Sequence, residues 1–158
     1  MGIVNEAELE PTGGDDVPWE RTRLAEAAGG EALGCSRYQL PPGERSWPYH
    51  YHTGNEEAIY VLAGEGTIRL DGDLEPLAAG DYVALPADER GAHRVINDGD
   101  APLRFLVFST MAEPDVTVYP DSGKLGVYAG SPPGGDGERA VEGYWRLDDD
   151  VDYWDGEE

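Results

Sequence analysis

Tyr49-His50-Tyr51-His52-Thr53-Gly54-Asn55-Glu56-Glu57-Ala58-Ile59-Tyr60-Val61-Leu62 is the stretch on which the reading of this chain turns. Alternate residues of an extended strand point to one face, so His50 and His52 share a face while Tyr49 and Tyr51 take the other. Beyond the break at Thr53-Gly54, the same parity places Glu57, Ile59 and Val61 together, a carboxylate at the head of an apolar inward face. Glu57 lies five residues past His52, far enough for a tight turn to bring its carboxylate back beside the imidazoles. The third and last histidine, His93, lies in another strand-like run, Ala92-His93-Arg94-Val95, and must arrive from a neighbouring strand. Three neutral imidazoles and one carboxylate make a mixed nitrogen and oxygen donor set suited to Zn, Fe, Mn, Ni, Co or Cu.

Outward from this stretch the chain consists of short β-rich runs separated by Gly, Pro and Asp. Strands are expected at Leu33–Leu40, Tyr49–Thr53, Ala58–Leu62, Thr67–Leu70, Leu74–Leu77, Tyr82–Leu85, His93–Ile96 and Leu103–Ser109, with further strands at Val116–Tyr119 and Leu125–Tyr128. Asp71-Gly72 is a two-residue hairpin signal between Ile68–Leu70 and Leu74–Leu77. Many short strands without long amphipathic helices between them predict an all-β, antiparallel sandwich or barrel. Residues 1–32, broken at Gly13-Gly14-Asp15-Asp16 and Gly29-Gly30, read as an N-terminal arm in which Trp19–Ala28 forms a short helix or is simply part of the arm. Residues 33–110 form the barrel core. Residues 111–158 add strands and an acidic tail bearing Tyr144, Trp145, Tyr153 and Trp154.

The 158 residues carry 33 acidic and 11 basic side chains, a net charge of −22, and only Lys124 among the basic residues is a lysine. That length fits one domain. Such acidity excludes phosphate-backbone binding, which needs clustered Lys and Arg, and disfavours an anionic membrane surface. No apolar run approaches the roughly 20 residues of a membrane helix, the opening residues lack a signal-peptide pattern, and Cys35 has no cysteine to pair with. A cytoplasmic protein is expected. The composition resembles that of proteins from salt-accumulating extreme halophiles, in which self-repulsion is screened over about 3 Å at 1 M salt.

The spacing Gly43…His50-Tyr51-His52…Glu57…Gly64, followed by Gly80…Pro86…His93…Asn97, resembles the two motifs of the cupin superfamily. That resemblance implies a jelly-roll β-barrel binding one divalent metal ion per chain, with His50, His52, Glu57 and His93 as ligands; Glu57 rather than Glu56 keeps the family's gap to Gly64. Two departures stand out. Six residues rather than five separate Gly43 from His50. The stretch from Pro86 to His93 is two residues longer than the usual pattern, carrying Asp88, Glu89 and Arg90. The core resemblance spans Leu33–Ser109, and the tail from Val118 resembles the extension of cupins described as sugar-phosphate-isomerase-like.

On this reading the chain is a metal-dependent enzyme acting on a small polar metabolite, with sugar-phosphate isomerisation one such reaction. The alternatives are a non-enzymatic small-ligand binding or sensing cupin, or an Fe-dependent dioxygenase. With all three histidines consumed as ligands, a general base must come from a tyrosine, an acid such as Glu56, or hydroxide on the metal. Arg45 and Arg90, on loops near the barrel mouth, and Tyr60 are candidate substrate contacts; both arginines have acidic neighbours that offer surface pairing instead. Cys35 reads as a strand residue, and Trp47 as either a mouth residue or packing. The resemblance and the aromatic tail imply a homodimer. The halophile-type composition predicts a melting temperature that rises between dilute buffer and molar KCl; an unchanged value overturns it.

Overall fold

The computed structural model describes residues 2–14 and 16–157; Met1, Asp15 and Glu158, at the N-terminal opening, in the Gly13–Asp16 break and at the end of the acidic tail, lie outside the described residues. In chain order the elements are β1 (Thr12–Gly13), β2 (Glu20–Arg23), α1 (Leu24–Ala27), β3 (Gly34–Leu40), β4 (Tyr51–His52), β5 (Glu57–Ala63), β6 (Glu65–Leu70), β7 (Asp73–Ala78), β8 (Tyr82–Leu85), β9 (His93–Ile96), β10 (Leu103–Ser109), β11 (Asp115–Tyr119), β12 (Lys124–Ala129) and β13 (Val141–Arg146). The strand pairs are antiparallel throughout. Six strands form one sheet in the order β1-β2-β3-β10-β5-β8, four form β13-β12-β11-β4, and three form β7-β6-β9. Two isolated bridges, His50 with His93 and Arg45 with Ile96, join the stretch around β4 to β9. The two smaller sheets thereby act as one curved face packed against the six-stranded sheet, an antiparallel jelly-roll β-barrel.

Local chemistry explains the joints. Asp71 and Gly72 have φ of 48° and 91°, the positive pair a type I′ hairpin requires, and they connect β6 to β7 without further residues. The two-residue insertion before His93 forms a single 3-10 turn, Glu89–Gly91, whose Asp88 cap side chain accepts the Arg90 amide. Gly91 is required there because a Cβ would collide with the Pro86 carbonyl oxygen.

Along the six-stranded sheet the inward face changes character from one end to the other. Leu40, Tyr38, Leu103, Phe105, Ile59, Val61 and Leu85 pack with Ile68, Leu77 and Val95 from the opposite face into the apolar core. One pleat further, the register sets Ser36 opposite Val107, and Ser109 between Gly34 and Glu57. The core is thus closed by large apolar side chains at one end and opens into a smaller, polar lining at the other.

Two segments differ from the sequence reading. Part of the N-terminal arm is β2, hydrogen-bonded along β3. It is anchored because Thr22 is buried and takes a hydrogen bond from the Arg37 guanidinium at 2.8 Å. In the tail, Tyr144 and Trp145 sit on β13, which pairs with β12 over six residues. The four-residue α1 takes up only part of the expected Trp19–Ala28 helix.

Candidate metal centre

Backbone register brings the histidines together. His50 and His93 exchange both amide hydrogen bonds, at 3.2 and 2.8 Å, so their side chains emerge side by side on the inward face. His52 follows by strand parity, and the imidazole centroids lie 4.7 Å (His50 to His93) and 5.0 Å (His50 to His52) apart. Glu57 reaches in from β5 on the opposite sheet. The turn that delivers it is held by buried Asn55, whose side chain bonds the Ala112 carbonyl and amide. One ligand atom each from His50, His52 and Glu57 lies within 4.8 Å of the others.

Every imidazole is oriented through Nδ1. His50 Nδ1 meets the Pro48 carbonyl at 2.9 Å, His93 Nδ1 meets the Gly91 carbonyl at 2.9 Å, and His52 Nδ1 meets Asp115 Oδ2 at 2.5 Å. With Nδ1 carrying the proton, Nε2 presents a lone pair to the centre, the arrangement that fixes tautomer and ring angle in metal-binding histidines. His52 Nε2 stands 3.4 Å and His93 Nε2 3.7 Å from Glu57 Oε2. His93 differs in one respect: its Nε2 also takes the Trp47 indole N–H at 3.3 Å.

The cavity over His50, His52 and Glu57, which His93 does not line, measures about 340 Å³ and is walled by aromatic and small side chains from both faces, including Trp19, Tyr38, Trp47, Val107, Tyr119 and Tyr128. This is the size of a small-metabolite pocket. The Cupin domain family matches residues 36–109. The oxalate-binding protein of Thermotoga maritima is 32% identical over 111 residues, which is 66% of this chain and 89% of that protein. The chain belongs to the cupin superfamily. A candidate sugar phosphate isomerase from Acidithiobacillus ferrooxidans, whose crystal structure superposes with a TM-score of 0.72, is 33% identical, with coverage of 84% of this cupin and 80% of that chain. The polyketide synthase CurC of Streptomyces cyaneus is 36% identical over 108 residues, 66% of each protein.

In this cupin the expected substrate contacts fall elsewhere. Tyr60 sits on β5 between inward Ile59 and Val61, so parity turns it outward, and it is exposed. Arg45 is exposed where its backbone bridges to Ile96. Arg90 lies on the outer side of the inserted turn, its guanidinium bonded to Asp88 at 2.6 Å. None of the three lines the cavity, and neither does exposed Glu56. The side chains that do, and that the sequence reading missed, include Arg21 on β2, Tyr119 on β11 and Tyr128 on β12. Asp115, the partner of His52, was also missed; only its place two residues ahead of Thr117, which pairs with His52, signals it. Trp47 proves to be a cavity wall, edge-on to His50 and His93. Cys35 borders the same space, and burial pushes its thiol pKa up.

Burial, together with the neighbouring His93 and His52, holds His50 well below the ordinary imidazole range. Burial drops His93 to about 4 despite its bond to the Gly91 carbonyl. His52 goes the other way: burial disfavours its cation, but the Asp115 hydrogen bond and the charge of Glu57 outweigh that and raise it. Burial also raises Glu57, against the pull of His52.

A group whose folded pKa is depressed costs stability once the unfolded chain takes a proton the fold refuses. For His93 this stability is present above the ordinary value of 6.5 and is lost as pH falls toward about 4, a loss of about 3 kcal/mol at 1.36 kcal/mol per unit. Urea unfolding of chelator-treated protein at several pH values, compared with His93→Gln, is expected to show a shallower acid slope in the variant. Parallel slopes would refute the assignment.

Proposed function

We propose that this cupin holds one divalent metal ion on His50, His52 and Glu57, with His93 as fourth ligand, and acts as a metal-dependent enzyme on a small polar metabolite. The observation that carries the reading is the common orientation of the three imidazoles, each with Nδ1 tied to an oxygen acceptor and Nε2 turned to the centre beside Glu57. Nitrogen and carboxylate donors of this kind fit Zn, Fe, Mn, Ni, Co or Cu. A cation in that position supplies Lewis acidity to a carbonyl, hydroxyl or carboxylate oxygen.

The remaining work falls to the chain itself. Asp115 fixes the His52 ring and raises its basicity as a ligand. Trp47, Tyr38 and Val107 exclude water and give a bound metabolite apolar surface. Tyr119 and Tyr128 provide hydroxyls in the cavity; burial raises both phenols, so they keep their protons at neutral pH and serve as hydrogen-bond donors. Tyr128 in turn bonds Tyr144 at 2.8 Å, and Tyr144 is 59% exposed, which gives a hydroxyl path from the cavity to solvent. This suits hydrogen bonding to a substrate oxygen that gains negative charge in an isomerisation, the reaction class named for the Acidithiobacillus relative. The Thermotoga relative, named for binding oxalate, supports a second reading in which the site binds a ligand without turnover.

Protein purified in high salt without a polyhistidine tag is expected to contain about one equivalent of metal. His50→Ala and His52→Ala should lose it, and Asp115→Asn should bind it roughly 10–100-fold more weakly. Metal-free wild type that takes up none on reconstitution overturns the proposal. Incorporation of solvent deuterium into a sugar-phosphate panel separates turnover from binding alone. The proposal extends to a homodimer, supported by exposed Val141, Trp145, Tyr153 and Trp154 on and beyond β13; a monomer mass by light scattering in high salt would remove it.

A further inference from the structure

We propose that Arg21 is an anion-binding subsite of the metal cavity, so that this cupin takes small ligands with a carboxylate or phosphate at Arg21 and an oxygen donor toward the His50–His52–Glu57 cluster. The second half of that statement rests on the metal reading above; the anion subsite does not.

Arg21 pairs with Tyr38 across β2 and β3 and lines the cavity with it, its guanidinium carbon 5.8 Å from the Tyr38 ring. Among the described residues it is the only arginine or lysine lining that cavity, beside the His50 and His52 imidazoles, and Glu57 is the only carboxylate. The bonds of Arg21 set it apart from the six arginines that form ion pairs among the described residues. Arg23, Arg37, Arg69, Arg90, Arg104 and Arg139 each meet a carboxylate. Arg21 donates instead to two neutral acceptors, Nε to Ser36 Oγ at 3.0 Å and Nη2 to the Gly134 carbonyl at 3.1 Å. A guanidinium has five N–H donors, so three are left without an acceptor among the described residues. Asp136 and Glu26, the nearby carboxylates, are taken by Arg23. With Glu57 committed to a divalent cation, the cavity is positive inside a chain of net charge −22.

The C-terminal segment holds this arrangement in place. Arg139 ties the Ser131, Pro132 and Gly135 carbonyls into one loop, and that loop presents the Gly134 carbonyl to Arg21. A Cβ at Gly134 would stand 3.0 Å from Arg21 Nη2, at a φ of +80°. Gly134 is therefore a positioning residue, and a side chain there would push the guanidinium out of line. A second space of about 380 Å³ adjoins across Arg21, Ser36, Met111 and Gly134, so an anion at Arg21 has room to carry a larger substituent.

Isothermal titration at fixed KCl tests this with malonate against neutral malonamide, and with glucose 6-phosphate against glucose, metal content being measured on the same samples. At least one anion should bind and its neutral partner should not; the stronger arm identifies carboxylate or phosphate as the ligand head. Arg21→Gln should weaken that anion roughly 10–100-fold, as loss of charge-assisted hydrogen bonds requires, with metal content unchanged. Arg21→Lys should recover part of the loss, and Gly134→Ala should weaken binding while leaving the charge in place. Binding of neither anion, or equal affinity for wild type and Arg21→Gln, overturns the subsite. Wild type that holds no metal yet binds an anion through Arg21 defeats the metal reading and leaves the subsite standing.

Discussion

The reciprocal amide bonds between His50 and His93 carry two burdens at once. They stitch the sheet containing β4 to the sheet containing β9, and they put two imidazoles side by side on the face that meets β5. A slip of one residue in that pairing would turn His50 and His52 toward solvent together, because side-chain direction has a period of two. The Pro48 and Gly91 carbonyls that orient the two rings lie just outside the bridge, each two residues before its histidine. Backbone pairing, ring orientation and sheet closure are therefore one constraint. The inserted turn Glu89–Gly91 belongs to it, since it supplies one of the carbonyls.

What the sequence made legible was whatever strand parity governs. The shared face of His50 and His52, the inward set of Glu57, Ile59 and Val61, and the hairpin at Asp71-Gly72 follow from periods of two and from turn chemistry. Parity also had the means to exclude Tyr60, which stands between two inward residues. What stayed hidden depends on pairing distant in sequence. Asp115 meets His52 across 63 positions, and Arg21 reaches the cavity only because β2 pairs along β3 in the six-stranded sheet. Arg45 and Arg90 drew attention by proximity to the motifs, yet Arg90 is captured by Asp88, two residues away on its own turn. A local carboxylate satisfies a surface guanidinium at little entropic cost.

With a divalent cation beside Glu57, charge at the site and charge of the molecule would have opposite signs, and distance decides which one a ligand meets. At about 8 Å screening in physiological salt, and about 3 Å at 1 M, the distributed carboxylates fade before the pocket interior is reached, whereas groups within the cavity interact through little water. Acidity of the surface thus serves solubility and leaves the pocket free to favour anions. The protein keeps that freedom by placing a single carboxylate in the lining, at the position where a cation would offset it.

Trp47 shows how closely binding and packing compete in this cavity. Its ring packs on Tyr38 and Phe105 and so belongs to the core, while its N–H takes the one lone pair that His93 has to offer. A buried imidazole nitrogen without a donor costs on the order of 1–3 kcal/mol, and the indole removes that cost. The same hydrogen bond must be surrendered for His93 to coordinate a cation through Nε2. On the proposed metal reading the histidines would be inequivalent ligands: His50 and His52 have Nε2 atoms with no such protein donor among the described residues, whereas the entry of His93 into a coordination sphere would be opposed by the indole N–H. The core would thereby set how firmly a fourth ligand is held, through one side chain, Trp47, that belongs to both core and cavity.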